Sequence, residues 1–322
     1  MKCLLPWAVG LLLSNPFILC SAELPAENRI LFLGDSITHG GRYVALIEAA
    51  SIAAHPDEKK IFLNLGLSSE TVSGLSEEGH AGGKFPRPDL HERLDRILTK
   101  TQPELVFACY GMNDGIYFPL SGERTRAYQD GMVRFREKVA AVGARIIHLT
   151  PPVFDPLPIA ERVLPAGLEA YPKPFEGYNS VLDHYSEWLM SRRKAEAWEV
   201  LDVHEAMTNA LDARRSQNPE FSFSRDGVHP GDEGHAVMAG PILDHWGLHL
   251  TAEGGIDHPK GKEILQLVLK KQDLLHHAWL SETGHKRPGV KPGLPLEEAE
   301  AEAAKLDAAA RRLALEKEPS RN

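Results

Sequence analysis

Five apolar runs recur along this chain, at Arg29–Gly34, Ile61–Leu65, Glu104–Tyr110, Ala144–Thr150 and Glu199–Val203. None alternates polar with apolar, so each must be covered on both faces, which is the condition of a parallel strand. Longer amphipathic stretches lie among them: Tyr43–Ala53, Asp89–Lys100, Gly122–Val142, Phe175–Ala197 and Gly234–Trp246. The alternation predicts an α/β fold, an open doubly wound parallel sheet with helices on both sides. In such sheets ligands bind beyond the carboxyl ends of the strands. The 322 residues suffice for one such domain and an appendage. Hydrophobic residues at 43% and charged residues at 25% exclude wholesale disorder and collagen-like structure. A net charge of −9 gives no general basic footprint for nucleic acid or anionic lipid.

The two ends depart from this pattern. Residues 1–22 have the form of an export signal, with Lys2, an apolar run interrupted by Pro16, and small residues Ser21 and Ala22 before Glu23. Cleavage after Ala22 predicts a periplasmic or extracellular protein with no stable membrane insertion. Bulky Leu19 disfavours a lipid anchor on Cys20, and the short, Pro-broken run disfavours a retained span. Cleavage leaves Cys109 as the one cysteine, so the exported protein depends on packing rather than a disulfide. Cys109 lies in an apolar run and reads as a buried, inert thiol. Residues 23–250 form the main domain. Residues 251–322 form a helical C-terminal extension, with helices at Gly261–Leu280 and Pro295–Lys317 packing on the main body. The proline-rich stretch Pro151–Pro174 reads as an ordered loop walling the site.

Polar residues concentrate where the strands end. The first run leads into Asp35-Ser36-Ile37-Thr38, which puts a serine hydroxyl at the mouth of the sheet; the alternative reading is a helix N-cap. After the second run, Gly66 is either a simple turn residue or a backbone N–H aimed at the same mouth. After the third, Asn113 has a short amide reach into the cleft, or else bonds its own loop. Late in the chain Asp226 precedes His229 by three residues, close enough to fix the imidazole's tautomer and direct its other nitrogen outward. Acyl transfer needs all of these: a serine, a base in reach, a carboxylate for the imidazolium, and donors for the oxyanion. Ser36, His229 and Asp226 supply the first three; the Ser36 and Gly66 amides and the Asn113 side chain supply the donors.

The blocks Gly34-Asp35-Ser36, Gly66, Gly111-x-Asn113-Asp114 and Asp226-x-x-His229 resemble those of the SGNH hydrolases, the GDSL esterases and lipases. The resemblance covers roughly residues 29–247. It implies a flavodoxin-like three-layer sheet, a Ser-His-Asp triad, an oxyanion hole of Ser36, Gly66 and Asn113, and no cofactor. Within that family the chain is similar to the exported bacterial branch that deacylates sugars. The expected activity is hydrolysis of small acyl esters, acetyl above all, on a carbohydrate or other small ester, through an acyl-enzyme. A lipase or thioesterase for longer chains, a peptidoglycan or antibiotic-ester hydrolase, and a glycan-binding module without turnover are the alternatives. Asp35 and Arg287 are further candidates for touching substrate, Arg287 because His285-Lys286-Arg287 forms a basic cluster suited to an acidic sugar.

Competing motifs are weaker. The Gly-x-Ser-x-Gly elbow is absent, and Ser191-Arg192-Arg193-Lys194 lacks the companion motifs of penicillin-recognising enzymes. Gly82-Gly83-Lys84 lacks the rest of a phosphate loop. The histidines at 229, 235, 245 and 249 include no His-Glu-x-x-His pair, so no metal site is expected.

Overall fold

The computed structural model describes residues 24–316, so the expected export signal and the candidate anchor Cys20 lie outside the described residues. Five parallel strands form one sheet: β1 (Arg29–Gly34), β2 (Ile61–Asn64), β3 (Leu105–Cys109), β4 (Arg145–Leu149) and β5 (Glu199–Leu201). Their spatial order is β2-β1-β3-β4-β5, the flavodoxin-like order. The chain leaves β1 toward β2 on one side and returns across it to β3 on the other. The crevice of an order-reversing sheet therefore opens at the carboxyl ends of β1 and β3, whose pairing runs to Gly34 opposite Cys109.

Around the sheet lie α1 (Ser36–Gly40), α2 (Arg42–Ala54), α3 (Leu90–Thr101), α4 (Gly122–Ala141), α5 (Asn179–Ala195), α6 (Val203–Arg215), α7 (Asp232–His245), α8 (Gly261–Thr283) and α9 (Leu296–Leu315). Side chains of alternate strand residues build two cores. On one face Phe32 stacks on Phe107 at 4.8 Å and meets Tyr43 of α2 edge-on, while Trp246 after α7 sits edge-on to Phe62 and Phe107. On the other face Tyr110 meets Phe135 of α4, and Tyr128 of α4 stacks on Tyr185 of α5 at 4.1 Å. All of these rings but Trp246 are essentially fully buried. Cys109 is buried as expected, and burial pushes its thiol well above the usual range, which leaves it inert.

The elements match the sequence pattern with one correction. The fifth run ends as a strand at Leu201, and Val203 opens α6, which the pattern did not anticipate. Asp202 decides the break: its Oδ1 accepts the Glu205 amide at 3.0 Å and the Thr150 hydroxyl at 2.9 Å.

The C-terminal pair α8 and α9 joins the body through buried charge. Lys271 of α8 donates to Glu48 of α2 at 2.5 Å and to Asp307 of α9 at 2.6 Å. Gln272 donates to the same Glu48 at 2.6 Å and to Phe62 O of β2 at 3.1 Å. The buried face of α9 is mainly alanine (Ala299, Ala303, Ala310), which lets its backbone come close to α8. Lys271→Ala leaves Glu48 buried without its cation, and should lower the unfolding free energy in urea by about 3–5 kcal/mol. The double variant Lys271→Met/Glu48→Gln should recover much of that loss.

Candidate active site

The site is assembled from three strand ends and one late turn. Asp35 caps α1, accepting the Ile37 amide on Oδ1 at 2.9 Å and the His39 amide on its carbonyl at 2.9 Å. Ser36 is thereby the first residue of the helix, directly above β1. Its Oγ lies 2.7 Å from Nε2 of His229, a residue 193 positions later. Nδ1 of His229 lies 2.7 Å from Asp226 Oδ2, while Asp226 Oδ1 accepts the amides of Val228 at 3.0 Å and His229 at 2.8 Å. The turn passes through Gly227 at φ 81°, where a Cβ would come within 2.6 Å of Asp155 O, so glycine is required there. Asp155 in turn donates its amide to Gly227 O at 2.9 Å and is clamped by Arg215 at 2.8 Å to each carboxylate oxygen.

A carboxylate only accepts, so Nδ1 carries the imidazole proton and the Nε2 lone pair faces the Ser36 hydroxyl. Partial burial works against ionisation of Asp226, but the hydrogen bonds from His229 and Val228 outweigh it and hold the carboxyl below its ordinary range. The side chains of His229 and Asp226 are each 50% exposed, so this edge of the site is open.

The third strand end contributes Asn113, which is buried. Its Oδ1 accepts Arg87 Nη1 at 2.9 Å and the Tyr117 hydroxyl at 3.2 Å, and its Nδ2 donates to Glu70 O at 3.2 Å. One Nδ2 proton is left without a partner among the described residues. Gly66 differs from expectation. Its N–H donates to Asn64 Oδ1 at 2.9 Å and is spent within its own loop. Its glycine character answers a different need, since a Cβ would lie 2.4 Å from the His39 amide of α1. Asp35 is also corrected: buried and committed to the α1 cap, it has no surface to offer a substrate.

Beneath the loop after β2 lies a buried ion pair. Arg93 donates Nε to Glu70 Oε1 at 2.6 Å and Nη2 to Oε2 at 2.8 Å, and also reaches Leu65 O at 2.7 Å. The Tyr110 hydroxyl adds a bond to Oε2 at 2.6 Å. The C-terminal segment braces the same loop from outside. His276 Nδ1 donates to Asn64 O at 2.8 Å, and its Nε2 meets His39 Nδ1 at 3.0 Å. Burial pushes the His276 imidazole down to about 3, so it stays neutral. Arg287 lies over the Phe85 ring at 5.5 Å and donates Nε to Ser68 O at 2.9 Å.

The structure adds Arg87, Tyr117, Glu77, His39 and His276 to the surroundings of the site. One signal stood in the sequence: Arg87 sits between Pro86 and Pro88, a stiff setting for a lone cation. The other is visible only in three dimensions. Ile116 and Tyr117 hold φ values of 48° and 58°, left-handed conformations that cost non-glycine residues on the order of 1–3 kcal/mol each. The competing motifs find structural uses instead. Ser191 donates to Trp188 O at 2.6 Å within α5, and Gly82 and Gly83 close a short 3-10 turn. Among the described residues no group of three or more His, Cys, Asp or Glu is arranged to hold a metal ion, and no helix is long and apolar enough to cross a membrane.

With this geometry in place, the sequence matches the model of the GDSL-like lipase/acylhydrolase family over residues 32–237. The chain belongs to that family. It is thus an esterase of GDSL type, and its sheet is the fold expected of one. Solved structures similar to it include BT4096, described as a gut microbial diltiazem-metabolizing enzyme, at 20% identity and TM-score 0.50. That match takes in 70% of this chain, which spans about half (48%) of BT4096. A catalytic mutant of Axe2, an acetylxylan esterase from Geobacillus stearothermophilus, matches at 20% identity and TM-score 0.50, over 68% of this chain and 93% of that one. The acetyl xylan esterase AlAXEase matches at 16% identity and TM-score 0.49, over 67% and 98%. No curated protein matches the chain.

Burial pushes the Asp35 carboxyl from its ordinary 3.8 up to about 7, with the nearby Asp114 adding to the rise. The folded protein therefore holds this proton more tightly than the unfolded chain does. The resulting cost to stability is absent below about pH 4, grows as pH rises, and is complete above about pH 7. Asp35→Asn keeps an acceptor for the Ile37 amide and removes the titration. Its urea stability relative to wild type should improve from pH 4 to pH 8; parallel curves across that range would contradict the assignment.

Proposed function

We propose that this protein is an exported serine esterase that removes small acyl groups, acetyl first among them, from carbohydrate esters. The observation that carries the mechanism is the unbroken line from Asp226 Oδ2 through both ring nitrogens of His229 to Ser36 Oγ, each link 2.7 Å. In this reading His229 takes the Ser36 proton as Oγ attacks the ester carbonyl, and Asp226 stabilises the imidazolium. The Ser36 amide and the free Nδ2 proton of Asn113 receive the oxyanion. His229 returns the proton to the departing sugar oxygen. Water, deprotonated by the same imidazole, then releases the acid and restores Ser36.

The half-exposed His229 and Asp226 support a substrate presented from a large, hydrated molecule. The acetylxylan esterases among the structural neighbours suggest the first substrates to test. Export rests on the form of residues 1–22, and the division into a main domain over 23–250 and an extension over 251–322 on the change of pattern near Thr251. Arg287, partly desolvated at the loop after β2, is the candidate contact for an acidic group on the sugar.

Ser36→Ala should lower kcat on an activated acetyl ester by several orders of magnitude, keep the wild-type circular dichroism spectrum, and abolish labelling by a fluorophosphonate. Equal turnover by the two proteins would rule the mechanism out. A series of acyl lengths on the wild type separates a deacetylase from a lipase or thioesterase. Arg287→Ala should cost more kcat/KM on uronate-bearing acetyl esters than on neutral ones, whereas equal losses on both would remove Arg287 from the substrate site.

A further inference from the structure

We infer that Arg87 and Tyr117 are positioning residues that set the direction of the Asn113 amide. The inference rests on the reading of Asn113 as an oxyanion donor and adds what makes it one. An asparagine side chain has two polar ends of nearly equal shape, and only the amino end can stabilise an oxyanion. Rotation by half a turn would present the carbonyl oxygen to the developing negative charge. Such a site would oppose the reaction it should promote.

The surroundings of Asn113 forbid that rotation. Oδ1 is taken by Arg87 Nη1 at 2.9 Å and by the Tyr117 hydroxyl at 3.2 Å. A flipped amide would turn its own N–H groups toward the guanidinium, donor against donor. The guanidinium also polarises the amide, which makes the opposite N–H groups stronger donors.

Arg87 is itself held rigidly. Its Nε and Nη2 form a fork on the two oxygens of Glu77, each at 2.7 Å, which commits the third face of the guanidinium to Asn113. Its amide donates to Ser76 Oγ at 2.9 Å, prolines flank it, and its guanidinium lies over the Tyr117 ring at 5.4 Å from the centroid. Tyr117 reaches this place through the left-handed turn at Ile116 and Tyr117. The turn is held by a stack on Tyr178 at 4.8 Å and by the Tyr178 hydroxyl, which receives the Gly115 amide at 3.1 Å and donates to Met112 O at 2.9 Å. Strained backbone kept in a well-packed turn, with its phenol on the amide oxygen of Asn113, is what a positioning role requires.

The test is a double-mutant cycle on the full chain with an activated acetyl ester. Asn113→Ala should lower kcat by about 10²–10³-fold, as for loss of one oxyanion donor. Arg87→Met and Tyr117→Phe should each lower kcat, Arg87→Met by on the order of tenfold for a hydrogen bond to a charged group, with KM little changed. In the Asn113→Ala background the same two substitutions should change kcat hardly at all, because there is no amide left to direct. Equal losses in both backgrounds, or a rise in KM at constant kcat, would overturn the inference. Tyr117→Phe removes a single hydroxyl, so it decides the matter alone if Arg87→Met fails to fold by circular dichroism. The reading of Ser36 as nucleophile fails separately, by a Ser36→Ala protein as active as wild type, and the inference falls with it.

Discussion

The pairing of β1 with β3 is the constraint on which the rest depends. With β2 placed on the far side of β1, the turns after β1 and β3 become neighbours at one edge, with Gly34 opposite Cys109 in the ladder. Ser36 and Asn113 leave the sheet from those adjacent ends. A sheet wound in simple sequence order would have put β2 between them. The last turn before α7 then needs only to reach over the same edge for His229 to meet Ser36.

The site combines a buried frame with an open reacting edge. Glu70 and Arg93 with Tyr110 below, and Asp114 accepting the Val72 and Ser73 amides at 2.9 and 2.8 Å, join the segments after β2 and β3, and the Glu77–Arg87 fork stiffens the loop after β2 whose Arg87 reaches Asn113. Each of these charged groups is costly to bury and is kept by partners that would themselves be stranded without it. Geometry held this way does not reorganise during reaction, which is the property electrostatic stabilisation needs. The C-terminal helices belong to the frame. His276, Gln272 and Arg287 donate to carbonyls of Asn64, Phe62 and Ser68 and so hold the strand and loop that carry Glu70.

Much of this was legible in the sequence because the signals were local. Uninterrupted apolar runs of strand length alternating with longer amphipathic stretches fit covered parallel strands, and Asp226 and His229, three residues apart, can meet within one turn. α6 was missed although Asp202 and Glu205 have the spacing of a helix-start pair, because an apolar run continuing through Val203 masked the stop. At Gly66 the opposite holds. A turn glycine has no side chain to announce its purpose, and here the purpose is clearance against α1 rather than donation. Asp35 is the neighbour of the candidate nucleophile, yet it does not share its direction: its side chain turns inward to cap α1.

The sequence by itself determined the alternation of strands and helices, the polar residues at the strand ends, and the pairing of Asp226 with His229. Each follows from the period of a regular element or from the reach of a few residues. Only the tertiary structure decided which amide protons remain free, which way Asn113 points, and that Arg87, Tyr117, His276 and Arg287 converge on the same loops. Those outcomes depend on groups as near as Asn64 and Gly66 and as distant as Ser68 and Arg287, 219 residues apart, competing for the same few acceptors. No local pattern records the result of that competition, because it is settled only when the chain has closed around the site.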